Sequence, residues 1–221
     1  MAINILGGYA KGFSIDLPLK VSFRPTSVIL RRKIFDKFQD WENIFFMDLC
    51  GGSGALGLEA LSRGACGLFY ADNQTDVLKI FSKNVEKFKK TFSKNPDFVI
   101  DEKMISCHKM DLLKIDSWLE MAIEKILIAQ EKITQVFIFI DPPYDDINCY
   151  NAVYEWFLKK SKKISSLNIE NRKIIFTLAL EYDQRNREKW KKNHIFSDGL
   201  EMNSSQSYLY AGDRTLSIYH F

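Results

Sequence analysis

A chain of 221 residues has room for one α/β domain with a sizeable core, and too little for two ordinary domains and a linker. With 46% hydrophobic residues it is too apolar to be disordered, and no stretch approaches the ~18 consecutive apolar residues of a membrane span. A net charge of +3 does not point to nucleic acid unaided, but Lys and Arg gather at 31–33, 83–94, 159–163 and 185–192, and several basic helix faces on one domain would make an RNA-facing surface.

The first twenty residues carry Gly7-Gly8 and Gly12 between short apolar runs, which predicts a small β-hairpin. Pro25 keeps Arg24 extended, and Thr26 or Ser27 can cap a helix. Leu30, Ile34, Phe38 and Trp41 then recur at helical spacing as one buried stripe. From Ile44 the pattern becomes strand, turn, helix, repeated. An apolar run at 44–49 ends in a Gly-rich turn, and residues 55–63 read as a helix closed by Gly64. A second strand, 68–71, ends at Asp72. Thr75 is expected to cap a helix containing Leu78, Phe81, Val85 and Phe88. Residues 91–102 read as an irregular loop, and 104–108 as a third strand ending before Asp111. A helix over 118–129 leads to a buried strand, 136–140, that ends at Asp141-Pro142-Pro143-Tyr144. A helix over 150–160, a strand over 173–180, and two final strands joined at Gly212-Asp213 complete the pattern.

Strands alternating with helices predict a mainly parallel sheet covered on both faces. Ligands of such sheets sit beyond the carboxyl ends of the strands. Asp48, Asp72, Asp111 and Asp141 all fall there. Four carboxylates on one rim repel one another unless a ligand supplies donors or positive charge. The four cysteines and three histidines are scattered without ligand spacing, so neither a disulfide framework nor a metal site is expected. The first residues lack the basic start and apolar stretch of a signal peptide, which makes cytoplasmic residence the expectation.

Gly52-Ser53-Gly54-Ala55-Leu56-Gly57 matches G-x-G-x-x-G, with Asp72 following at the spacing of a dinucleotide site. Asp48 argues against a nicotinamide dinucleotide and a dehydrogenase, because a pyrophosphate on the helix N-terminus would meet its charge. S-adenosylmethionine carries an ammonium and a sulfonium and no phosphate. Asp48 suits it, Gly51, Gly52, Ser53 and Gly54 let the backbone approach it, and Asp72 beside Asn73 would accept from its ribose. Asp111 and the backbone of Leu112 would lie near the adenine, although Asp111 could equally cap a helix.

Asp141-Pro142-Pro143-Tyr144 is the more specific signal. The exocyclic amine of a base is a poor nucleophile, because its lone pair is delocalised into the ring. Asp141 and the Pro142 carbonyl can accept its two hydrogens and turn the lone pair outward. Pro142 and Pro143 stiffen the turn, so the acceptors are set in advance. Tyr144 offers a flat face for an extruded base, a role that needs its ring and not its hydroxyl.

At these residues the chain resembles the bacterial small-subunit rRNA guanine-N2 methyltransferases of the RsmD family. The matching stretches are Ile5-Leu6-Gly7-Gly8, Arg24-Pro25-Thr26, the block from Asp48 to Ala65, Asp141 to Tyr144, and Tyr208 to Tyr219. The resemblance implies one class I methyltransferase domain, Rossmann-like, with a seven-stranded sheet (43–221) and a small hairpin-and-helix extension (1–42). It also implies S-adenosylmethionine as cofactor and 16S rRNA, within a small-subunit ribosomal particle, as partner. The protein is expected to be a monomer without metal or membrane attachment. Arg24, Thr26, Arg31 and Arg32 are the expected RNA contacts. The chain departs from the family pattern at Cys50-Gly51, where Phe-Ala is usual, and after Thr26, where Val28-Ile29 and Leu30-Arg31-Arg32 replace an Asp-Arg pair and Val-Arg-Glu. The alternatives are a DNA adenine-N6 methyltransferase, which would need more chain for target recognition, and a non-catalytic cofactor- or RNA-binding protein, which has no reason to keep Asp48, Asp72 and Asp141.

Overall fold

The computed structural model describes residues 2–18, 26–93, 95–96, 98, 101–166, 168–169, 172–183 and 205–221. They form two compact units, Met1–Met110 and Asp111–Phe221.

In the first unit, β1 (Ala2–Asn4) and β2 (Ser14–Asp16) form the expected antiparallel hairpin. Helix α1 (Val28–Lys37) is capped by Ser27, whose hydroxyl accepts from the Leu30 N–H at 3.1 Å. The stripe is realised in part. Leu30 and Ile34 are buried in the helix, Phe38 is its C-cap, and Trp41 is buried beyond it. Next come β3 (Ile44–Leu49), α2 (Ala55–Ser62), β4 (Gly67–Asp72), α3 (Thr75–Phe92) and β5 (Ile105–Lys109). The three strands lie in the order β3-β4-β5 and pair in parallel. Helix α2 packs on β3 and β4, and α3 on β4 and β5. Both inner strands are buried at every residue, as parallel strands covered on two faces require.

Three details of α3 differ from expectation. Thr75 is its first residue and caps nothing; the N-cap is Gln74, which makes no side-chain cap bond. The buried stripe begins at Val77, with Leu78 half-buried beside it. The helix also runs through Phe92, into the stretch expected to be loop. Phe88 and Phe92 meet Phe13 of the N-terminal hairpin, and that apolar contact holds the last turn in helical form.

The second unit contains α4 (Ile115–Ala129), β6 (Gln135–Ile140), α5 (Ile147–Ser165), a short hairpin of β7 (Asn168–Ile169) and β8 (Arg172–Lys173), then β9 (Ile175–Asp183), β10 (Ser205–Ala211) and β11 (Arg214–His220). Its main strands lie in the order β10-β11-β9-β6. β6 and β9 are parallel, while β11 runs antiparallel to both β9 and β10. The protein thus has an α/β fold with a mainly parallel seven-stranded sheet. Gly212, at positive φ, closes the β10–β11 turn, where a Cβ would be strained. Among the described residues no helix is long and apolar enough to cross a membrane.

Candidate active site

In the first unit the glycine-rich turn joins β3 to α2 and is held from below by two carboxylates. Asp48 is 1% exposed, and its Oδ2 accepts from the Gly57 N–H in the first turn of α2 at 3.1 Å. It therefore occupies the electropositive helix start that a phosphate would otherwise use. Burial pushes its pKa up to about 8, the Gly57 N–H opposes that shift, and Asp72 adds to it. Asp72, at the end of β4, accepts from Gly52 N–H at 3.2 Å and from Gln74 N–H at 2.9 Å. Burial raises its pKa too. A carboxylate has about four acceptor sites, so Asp72 keeps capacity for a ligand's hydroxyls. Asn73 is exposed next to it, and Ser53 is buried, its hydroxyl accepting from the Ala55 N–H.

The structure adds a packing reason for two of the glycines. A Cβ on Gly51 would lie 2.3 Å from the Tyr70 ring, and one on Gly54 2.3 Å from Phe81. These two rings stack with centroids 3.6 Å apart, and the Tyr70 hydroxyl donates to the Gly52 carbonyl at 2.7 Å. The turn is thus pressed onto an aromatic pair from β4 and α3, and that packing demands glycine. Tyr70 was not legible as a site residue, because an aromatic in a buried strand reads as core. A ligand that carries positive charge, offers hydroxyls and lacks phosphate fits this turn of the first unit.

In the second unit Asp111 accepts from the Leu113 N–H at 3.0 Å and caps a short 3-10 turn, Leu112–Lys114. Leu112 is buried. The cap expected of Asp111 is thus present. The Asp141-Pro142-Pro143-Tyr144 turn follows β6 directly. Pro142 is buried, Pro143 is exposed, and Asp141 and Tyr144 are half-buried. The buried Tyr150 hydroxyl of α5 lies 3.3 Å from the Pro142 carbonyl and 3.1 Å from that of Glu181, and donates between them. The Tyr144 hydroxyl donates to Glu181 Oε1 at 2.8 Å. Arg214 Nη1 donates to the same oxygen at 2.9 Å, and its guanidinium lies 5.5 Å from the centre of the Tyr144 ring. The hydroxyl of Tyr144 is therefore not idle, as stacking alone would have it. Burial and the neighbouring carboxylates Asp141 and Glu181 hold it firmly protonated.

The expected RNA contacts divide. Arg31 is 1% exposed and pairs with the fully buried Glu59 at 3.2 Å, while Arg63 bonds the other oxygen of Glu59 at 3.0 Å. Arg31 also donates to the Asn4 carbonyl. Its guanidinium ties α1 and the N-terminal hairpin to α2 and cannot reach a phosphate, so Arg31 leaves the set of RNA contacts. Arg32 is exposed, Thr26 is half-buried, and Arg24 lies outside the described residues. The cluster at 159–163 is largely neutralised: Lys159 pairs with Glu155, and Lys160 and Lys163 pair with Glu120. The cluster at 185–192 lies outside the described residues.

Solved structures with the same fold include the yhhF protein of Escherichia coli, with a TM-score of 0.59 at 18% identity over 100% of this chain and 98% of that one. The human methyltransferase 10 domain containing protein matches with a TM-score of 0.56 at 15% identity, over 94% of this chain and 87% of that one. The fold is that of the class I methyltransferases. The chain belongs to the family described as conserved hypothetical protein 95, whose model matches residues 3–187. Its relatives include the ribosomal RNA small subunit methyltransferase D of Buchnera aphidicola, 26% identical over 94% of this chain and 92% of that protein. The Escherichia coli K12 protein of the same name is 27% identical over 64% of this chain and 60% of its own length.

Proposed function

We propose that this protein is an S-adenosylmethionine-dependent methyltransferase of the RsmD family that methylates the exocyclic N2 amine of a guanine in 16S rRNA, within a small-subunit ribosomal particle in the cytoplasm. The observation that carries this reading is the Asp141-Pro142-Pro143-Tyr144 turn, held from behind by Tyr150 and Glu181. The names of the relatives supply the class of RNA.

S-adenosylmethionine, when bound, supplies a methyl group on a sulfonium. The Asp48–Gly57 contact keeps the start of α2 free of anions, and Asp72 accepts from the ribose hydroxyls. Asp141 and the Pro142 carbonyl accept the two hydrogens of the target amine. That pair of bonds favours a pyramidal nitrogen whose lone pair points away from both acceptors. A carbonyl has two lone pairs, so the Tyr150 hydroxyl leaves one on Pro142 for the amine. Because the acceptors are rigid before the base arrives, little reorganisation accompanies the reaction. Tyr144 provides the stacking surface.

Methyl transfer from labelled S-adenosylmethionine, measured on deproteinised 16S rRNA, small ribosomal subunits and duplex DNA, tests the reading. Nucleoside analysis of the product should show N2-methylguanine. N6-methyladenine in DNA, or no transfer with bound cofactor, would overturn it.

A further inference from the structure

Glu181 lies in β9, outside every motif that points to methyl transfer, yet three parts of the second unit converge on it. Tyr144 and Arg214 both donate to Oε1, at 2.8 and 2.9 Å. The Glu181 main-chain carbonyl accepts from the Tyr150 hydroxyl, which also meets the Pro142 carbonyl. Its side chain is 0% exposed, and its remaining oxygen, Oε2, has no hydrogen-bond partner. Burial raises the pKa of the Glu181 carboxyl, and Tyr144, Arg214 and Asp141 oppose that shift.

A buried carboxylate with a single cation is costly to keep for stability alone. An apolar replacement of the ion pair is often neutral or better. The value of Glu181 must then lie in what it holds. It reaches both ends of the Asp141–Tyr144 turn: the acceptor carboxylate at one and the ring hydroxyl at the other. Arg214 balances its charge from β11, so that Asp141 can carry the second negative charge when it accepts from an amine. With Tyr144 fixed by its hydroxyl and one side of the ring facing Arg214, the tilt of the stacking surface is set before a base arrives.

Resting on the methyltransferase reading above, we infer that Glu181, with Arg214 as its counter-charge, is a positioning residue for methyl transfer: it fixes the Asp141 carboxylate and the Tyr144 ring in the geometry that receives the target base. The groups facing the Glu181 carboxylate are Asp141 and Tyr144 from the turn after β6 and Arg214 from β11. Adjacent carboxylates disfavour each other's ionisation, so removing the Glu181 carboxyl should move the acid limb of the rate profile to lower pH.

The test is single-turnover methylation of small ribosomal subunits by the full chain, as wild type, Glu181→Gln and Tyr144→Phe, across pH 5.5–8.5 (a range set roughly around the carboxylate and neutral limbs). Cofactor affinity is measured by titration on the same samples. Glu181→Gln should lower the rate about 10- to 100-fold, move the acid limb of the profile to lower pH, and leave cofactor affinity within about twofold. Tyr144→Phe removes one of the same bonds with less disturbance to the core, and should lower the rate about 3- to 10-fold without moving the limb. It decides the matter if Glu181→Gln does not fold. A wild-type rate and limb in Glu181→Gln, or a silent Tyr144→Phe, overturns the inference and leaves the function standing. A wild type that methylates no RNA overturns the function and the inference with it.

Discussion

Asp48 offers a quantitative check on the glycine-rich turn of the first unit. Its unfolded-chain pKa lies near ~3.9, while in the fold burial pushes it up to about 8. Between these values the folded state binds more protons than the unfolded one, so stability falls as pH rises. The slope is at most about 1.4 kcal/mol per pH unit. Integrated to pH 7, the ionisable side chain costs the ligand-free protein up to about 4 kcal/mol relative to a neutral isostere. Asp48→Asn is that isostere: its amide oxygen can still accept from the Gly57 N–H. The variant should therefore be more stable than wild type, by a margin that grows through pH 5, 6 and 7 and levels off above pH 8. Urea unfolding of both proteins at each pH, compared as a difference, cancels the other titrating groups. The cationic cofactor should reverse the preference. Wild type should release about 0.9 proton on binding S-adenosylmethionine at pH 7, if the complex ionises Asp48, and calorimetry in buffers of different ionisation enthalpy reads that number. Asp48→Asn should bind more weakly and release none through this site. A stability difference that is flat from pH 5 to 8 would mean that Asp48 is ionised in the ligand-free fold and that the argument from burial is wrong.

Asp72→Ala should weaken S-adenosylmethionine by about 1.5–3 kcal/mol if charged hydrogen bonds hold the ribose; isothermal titration measures it, and NAD bound equally well would refute the choice of cofactor. Glu59→Gln should destabilise the fold by about 3–5 kcal/mol, because it leaves Arg31 charged and buried beside a neutral partner; chemical denaturation checks it. Arg32→Ala should flatten the slope of log RNA affinity against log salt by roughly 0.7–0.9 for each phosphate that Arg32 neutralises, whereas Arg31→Met should leave that slope unchanged in the folded fraction. Asp141→Ala should cost on the order of 10²–10³ in turnover with little change in cofactor affinity, and Asp141→Asn less, since an amide oxygen still accepts; single-turnover rates at saturating cofactor separate the two.

The strands, most helices and the glycine-rich and Asp-Pro-Pro-Tyr turns were legible because their signals are local. Ile44–Leu49 and Val136–Ile140 are apolar runs of strand length, and each is followed at once by one of these turns. What escaped depends on partners distant in sequence. Arg31 reads as surface charge beside Arg32, yet it shares a helix face with Ile34 and Phe35, at i+3 and i+4, and all three are buried. That spacing was a usable signal, as was Glu59 standing alone between Leu58 and Ala60 in an apolar helix. The charge pairs only because α2 brings Glu59 to it from 28 residues away. Tyr144 gives no such clue. Its hydroxyl partner lies 37 residues on, in β9, and the cation that balances that partner a further 33 residues on, in β11. Asp-Pro-Pro-Tyr names the groups proposed to meet a base, whereas the groups that hold Tyr144 sit on neighbouring strands whose own sequences read as core. Rigidity of the turn comes from β9, β11 and α5 as much as from its two prolines. A turn stiffened by prolines alone would still let Tyr144 rotate about its side-chain bonds. The buried Glu181 carboxylate, which accepts from the Tyr144 hydroxyl and pairs with Arg214, removes that freedom, as the support of a preorganised site by the residues behind it requires.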